Sequence, residues 1–154
     1  MGVLLERAPV FTNTVLDVGS RDINGSYRRL IEVRGWCYTG LDIEDGVNVD
    51  VVADPYEYPF EADRFDVVLC GSTMEHVERP WLFLPELTRV LKPGGLLALV
   101  THWQFPVHNH PGDCYRFLPD GMRVLFDDTG KLYEYDIRIV NDTDIIGSAL
   151  KCDR

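Results

Sequence analysis

The stretch TVLDVGSRDING (residues 14–25) decides the fold. A short β-branched run, Thr14–Val18, stops at Gly19, and residues 26–33 (SYRRLIEV) follow with Tyr27, Leu30 and Ile31 at helical spacing behind Ser26 as an N-cap. A strand, a glycine turn and a helix in that order open a βαβ unit. Outward from it, Cys37–Asp42 (CYTGLD), residues 49–53 (VDVVA) and residues 65–70 (FDVVLC) read as three further strands. Helical spacing returns over residues 81–91 through Leu84, Leu87, Val90 and Leu91, and Pro85 predicts a late start or a kink. Lys92-Pro93-Gly94-Gly95 reads as a helix stop and turn before a fifth strand at residues 96–101. Pro119-Asp120-Gly121 opens a short helix, and residues 131–140 and 144–150 read as a closing hairpin turning at Asn141-Asp142.

Strands alternating with helices predict a single α/β domain over residues 1–154, a Rossmann-like, doubly wound and mostly parallel sheet. The 154 residues suit one core, and no linker, repeat or span of about 20 apolar residues interrupts them. A net charge of −10 with only scattered basic pairs, such as Arg28-Arg29, leaves no footprint for nucleic acid or a membrane surface. Four cysteines without a CxxC pair point to free thiols in a reducing cytoplasm, and the N-terminus lacks the pattern of a signal peptide.

Doubly wound sheets bind ligands beyond the carboxyl ends of their strands. That rule selects Asp17–Gly19, Asp42, Asp54, residues 70–72 and Thr101-His102. The loop after the first strand lacks both GxGxxG and a P-loop, because Arg21 and Asn24 stand where later glycines belong. It suits a small anion such as an amino-acid carboxylate, or it is an ordinary turn. Asp42 can accept two ribose hydroxyls, and Asp54-Pro55 can meet an adenine. Taken alone, Asp42 is equally a solvated turn residue, and Asp54-Pro55 reads first as a simple strand-ending turn.

Five blocks taken together resemble the class I S-adenosylmethionine-dependent methyltransferases, and within them the type 11 methyltransferase domain. They are VLDVGS (15–20), TGLDI (39–43), VVADPYEYPF (51–60), FDVVLCGSTMEHV (65–77) and RVLKPGGLLALVT (89–101). The resemblance implies seven strands with the last antiparallel, and S-adenosylmethionine as cofactor across the strand ends. Asp17, Gly19, Ser20 and Arg21 would line its methionine end, Asp42 its ribose, Ile43, Asp54 and Pro55 its adenine, while Cys70 and Gly71 would flank it. The family's D/E-x-G-x-G-x-G loop is altered, with Arg21 and Ile23 at the second and third glycine positions. The chain starts close to its first strand, which implies an open site or one covered by a partner or a second copy.

The segment THWQFPVHNHPGDCYRF (101–117) follows the fifth strand, where acceptors commonly enter in this class, and holds three of the four histidines. Its HPGDCYRFLPDGM run resembles an HPxDYWRFTPEGL-like stretch of the same branch. In one reading His108 or His110, with His76 from the EH dipeptide, acts as base, while His102, Asp113, Tyr115 and Arg116 bind the acceptor. In a second, His108, His110 and Asp113 ligate an ion, and no metal is assigned on that basis. In a third, Asp113 and Arg116 merely brace the loop. The function expected is methyl transfer to an oxygen or nitrogen of a small molecule. The alternatives are a noncatalytic cofactor-binding or scaffold domain and a nicotinamide-dependent oxidoreductase, which the missing GxGxxG opposes.

Overall fold

In chain order the computed structural model, which describes residues 1–23, 25–108 and 112–153, runs through α1 (Gly2–Leu5), β1 (Thr14–Val18), α2 (Arg28–Glu32), β2 (Cys37–Asp42), β3 (Val51–Val52) and β4 (Phe65–Gly71). A 3₁₀ turn (Met74–His76), α3 (Pro80–Val90), β5 (Leu91–His102), α4 (Pro119–Asp128), β6 (Leu132–Ile139) and β7 (Asp144–Lys151) complete it. The seven strands lie in the order β3-β2-β1-β4-β5-β7-β6. β3, β2, β1, β4 and β5 pair in parallel, and β7 inserts antiparallel between β5 and β6. The seven-stranded sheet with an antiparallel last strand is therefore present.

The two-residue period of the strands divides the core. Leu16, Val18, Val68, Cys70, Leu97 and Leu99 face α3 and α4, whereas Val15, Val67, Leu69, Leu96 and Ala98 face Leu4, Leu5 and Ile31. α3 begins on Pro80, whose missing N–H costs nothing in a first turn. It runs unbroken through Pro85, which sits on the exposed face, while Phe83, Leu84, Leu87 and Val90 are buried. The expected late start does not occur, because the carbonyl that loses its partner lies on the solvent side. α4 lays Met122 and Phe126 over Gly147 of β7, where a Cβ would overlap the Met122 sulfur.

Three local expectations differ from the structure. Lys92-Pro93-Gly94-Gly95 is a bulge within β5: Leu91 pairs with Phe65 and Leu96 with Val67, so the extra residues loop out at Gly94, whose φ is +71°. The third strand shortens to Val51–Val52, since only Leu41 and Asp42 are there to pair with it. α2 shortens to Arg28–Glu32, and Ser26 Oγ accepts the Arg28 N–H at 3.0 Å from just outside it.

Lys151 closes the far end of the sheet. Its buried ammonium donates to Leu91 O at 2.6 Å and Arg89 O at 3.3 Å and pairs with Asp63 at 2.6 Å. Lys151→Met should leave the Leu91 carbonyl without its donor and cost about 2 kcal/mol. Urea unfolding measures this, and an unchanged midpoint would mean that water replaces the ammonium.

Candidate functional site

The strand order reverses between β1 and β4, and there Gly19 meets Thr73. Gly19 has φ +77°, and a Cβ on it would overlap the Thr73 side chain, so no other residue fits without displacing the 3₁₀ turn. The amides of Gly19 and Ser20 both donate to Leu41 O, at 2.8 and 3.1 Å, which fastens the loop to the end of β2. Ser20 is buried, and its Oγ donates to Asn48 O at 3.2 Å. Asp42 accepts the Arg21 N–H at 3.0 Å on one oxygen and the Glu44 N–H at 3.2 Å on the other. The Arg21 guanidinium pairs with Glu44. Ala53 N donates to Asp42 O at 3.0 Å, and Asp54, exposed beside Pro55, closes a turn by accepting the Tyr56 N–H at 2.8 Å. Gly19, Asp42 and Asp54 thus gather on one rim, with Ile43 48% exposed beside them.

Two residues expected on that rim lie beneath it. Cys70 is fully buried, which pushes its thiol well up. Asp17 is 2% exposed on the α2 side of the sheet, where the Tyr38 hydroxyl donates to it at 2.7 Å. Burial raises the Asp17 carboxyl to about 7, although the Tyr38 hydrogen bond and the Arg28 charge oppose the shift. Gly71 is packed against the Tyr27 hydroxyl, where a Cβ would overlap it.

The histidines converge at the ends of β4 and β5. His102, 9% exposed, stacks on Phe105 with centroids 4.3 Å apart, and its Nδ1 lies 3.0 Å from Asp144 Oδ1. His76 Nδ1 bonds Gly112 O, and its ring meets His108 edge-on at 4.9 Å. His108 N donates to Asp113 at 2.8 Å. Arg116 grips both Asp113 oxygens, at 2.5 and 2.7 Å, and donates to the carbonyls of Phe105, Pro106 and Tyr115. That guanidinium holds the Asp113 carboxyl well below the usual range. Tyr115 OH donates to Glu78 O at 3.0 Å. His110 lies outside the described residues.

Glu75 joins this group, and sequence reasoning passed over it. It is fully buried, Thr101 Oγ1 donates to its Oε2 at 2.6 Å, and its carbonyl accepts the amides of Cys114 and Tyr115. The EH dipeptide after the fourth strand was the available signal. Asp144, from β7, carried none, since only the antiparallel register brings it opposite His102.

The buried Asp17 makes stability depend on pH. Its folded value near 7 exceeds the ordinary 3.8, so the native state retains a proton that the unfolded chain releases. Stability contributed by that proton is full below about pH 4 and disappears as pH rises through about 7. Asp17→Asn keeps an acceptor for Tyr38 and removes the ionisation. It should gain up to about 4 kcal/mol over the parent at about pH 8, and little at about pH 4. Thermal melts across that range check this, and parallel pH profiles would contradict it.

A family model described as "Methyltransferase domain" matches residues 16–99. An uncharacterized methyltransferase of Mycobacterium avium is 34% identical over 110 residues, which cover 63% of this chain and 43% of that protein. The chain spans less than half the length of the curated relatives it matches. Burkholderia thailandensis 1,6-didemethyltoxoflavin-N1-methyltransferase, solved with S-adenosylhomocysteine, shares the fold at TM-score 0.78 and 17% identity, over 99% of this chain and 76% of that one. The [4+2]-cyclase SpnF shares it at TM-score 0.75 and 15% identity, over 97% and 79%. No helix among the described residues is long and apolar enough to cross a membrane. The fold and the match over residues 16–99 agree, and the chain belongs to the methyltransferase-domain family of the class I S-adenosylmethionine-dependent methyltransferases.

Proposed function

We propose that the chain binds S-adenosylmethionine along the rim formed by Gly19, Asp42 and Asp54 and transfers its methyl group to an oxygen or nitrogen of a small molecule. The observation that carries this reading is the Gly19–Thr73 approach at the switch point, with two acids at the ends of the neighbouring strands. Gly19 lets the turn after β4 close against the end of β1 and sets the first loop beside the end of β2, and carboxylates on the same rim suit the hydroxyls of a ribose and the amino group of an adenine. Asp42 takes the ribose through lone pairs left by its two backbone hydrogen bonds. Ile43 and Pro55 supply apolar surface for the adenine, and Asp54 accepts its amino group. The first loop, with Ser20 and Arg21, faces the methionine end. Asp17 and Cys70 support the strand ends from beneath, because their side chains are buried.

When bound, S-adenosylmethionine supplies an electrophilic methyl carbon on a sulfonium. The protein's own part is to align an acceptor with that carbon and keep water away. His76, His108 and His110 are the proton acceptors available for an acceptor that carries a proton at neutral pH. His102 and Tyr115 lie on the acceptor side. Asp113 and Arg116 act there chiefly on each other, shaping the loop. The charge of −10 favours a small acceptor over a nucleic acid.

One observation favours a second reading, a cofactor-binding domain without methyl transfer. Arg21 engages the rim twice, through its amide to Asp42 and its guanidinium to Glu44, so a ligand must share Asp42 with the loop.

Calorimetry separates the readings. Micromolar binding of S-adenosylmethionine and S-adenosylhomocysteine is expected, and Asp42→Ala should weaken it by about 1–3 kcal/mol. Turnover with an oxygen or nitrogen nucleophile distinguishes the first reading from the second. An absence of binding, or full affinity in Asp42→Ala, overturns both.

A further inference from the structure

The carboxylate of Glu75 is buried at the ends of β4 and β5 with one oxygen satisfied and one not. Thr101 Oγ1 donates to Oε2 at 2.6 Å, but Oε1 has no hydrogen-bond partner among the described residues. His102 Nε2 stands 3.3 Å from Oε1, and His76 Nε2 stands 3.8 Å from it. One donor atom each from Glu75, His102 and His108 lie within 4.8 Å of one another.

The other edge of each imidazole is already committed. His102 Nδ1 faces Asp144 Oδ1 at 3.0 Å, and Asp144 is itself held by Asn141 Nδ2 at 2.8 Å and Thr143 Oγ1 at 3.1 Å. His76 Nδ1 faces the Gly112 carbonyl, and His108 Nδ1 lies 3.2 Å from the Pro106 carbonyl. Carbonyl and carboxylate oxygens are acceptors only, so Nδ1 of each ring carries the proton. The Nε2 edges of His102 and His76 are then left to face the Glu75 carboxylate. Both stand close to its Oε1 without a hydrogen bond. A cation placed among these atoms would satisfy the carboxylate oxygen and the imidazole nitrogens together.

We propose that Glu75, His102 and His108, with His76 at the edge, form a binding site for a divalent transition-metal ion of the zinc type. Imidazole nitrogens with one carboxylate oxygen are the donor set that such ions favour. Donors about 2.0–2.1 Å from a tetrahedral ion stand about 3.3 Å apart, which matches the Glu75–His102 separation. The Asp144–His102 pair supplies the carboxylate that orients a ligating imidazole, and Thr101 fixes the second oxygen of Glu75. Phe105, stacked on His102, shields one side. The site differs from the His108, His110 and Asp113 set that spacing alone suggested, because Asp113 is taken by Arg116. It does not depend on S-adenosylmethionine binding, so the two can fail separately, and an imidazole that holds the ion is not available as a base.

The test uses the full chain, stripped with a chelator and titrated with Zn²⁺ against a chromophoric competitor. One equivalent should bind, and Glu75→Gln and His108→Ala should each lower the affinity at least about tenfold. Cobalt in place of zinc should give visible bands characteristic of nitrogen and oxygen ligands, without thiolate charge transfer. Circular dichroism confirms that each variant is folded, and His108→Ala, whose side chain is 28% exposed, carries the test if Glu75→Gln does not fold. Failure of the parent to bind one equivalent, or the parent's affinity in His108→Ala, overturns the proposal.

Discussion

Gly19 has no room for a side chain. Its φ of +77° and the Thr73 side chain beside it leave space only for backbone, and this contact seats the turn after β4 against the end of β1 where the strand order reverses. Everything proposed for the cofactor rim depends on it. The loop that Gly19 opens is fastened to Leu41 by two amides and to Asp42 by a third, which brings the end of β2 to the end of β1. The parallel pairing of β2 with β3 then places Asp54 further along the same rim. A larger residue at position 19 would displace the turn carrying Glu75 and His76, so the rim and the histidine cluster share a foundation.

The two regions differ in their physical character. The rim is polar and largely exposed, with carboxylates whose lone pairs are only partly used. The histidine cluster is partly buried and tightly oriented: Asp144 and Gly112 fix two rings, and the buried Glu75 lies beneath them with an oxygen that has no hydrogen-bond partner among the described residues. Arg116 and Asp113 hold the 112–117 segment over that cluster by a two-point ion pair, while Glu75 receives the amides of Cys114 and Tyr115. Such ion pairs are worth most where the geometry is bidentate and the partners are shielded, as here.

Much of this was legible in the sequence. β1 and β2 carry the expected bounds because a β-branched or aromatic run ends at a turn residue in each, and the closing hairpin follows from its Asn141-Asp142 turn. Lys92-Pro93-Gly94-Gly95 misled because turn residues look alike in a loop and in a bulge; only the register of β4 tells them apart. Pro85 misled because its cost depends on which face it occupies, which no local pattern states. The rule that ligands sit at strand ends selects Asp42 and Asp54, and the structure brings both to the rim beside Gly19. Glu75 was missed because a buried acid is recognised by its partners, and Thr101 and His102 come from β5, distant in the chain.

The central claim is that a nucleoside-bearing ligand lies on the backbone at Gly19 and beside Asp42. Amide chemical-shift mapping with S-adenosylhomocysteine tests it residue by residue. The account predicts that the largest shifts fall on Gly19, Ser20, Ile43 and Gly71, at the ends of β1, β2 and β4. Shifts confined to the opposite edge of the sheet, around Lys131 and Lys151, or no shifts at saturating ligand, would contradict it.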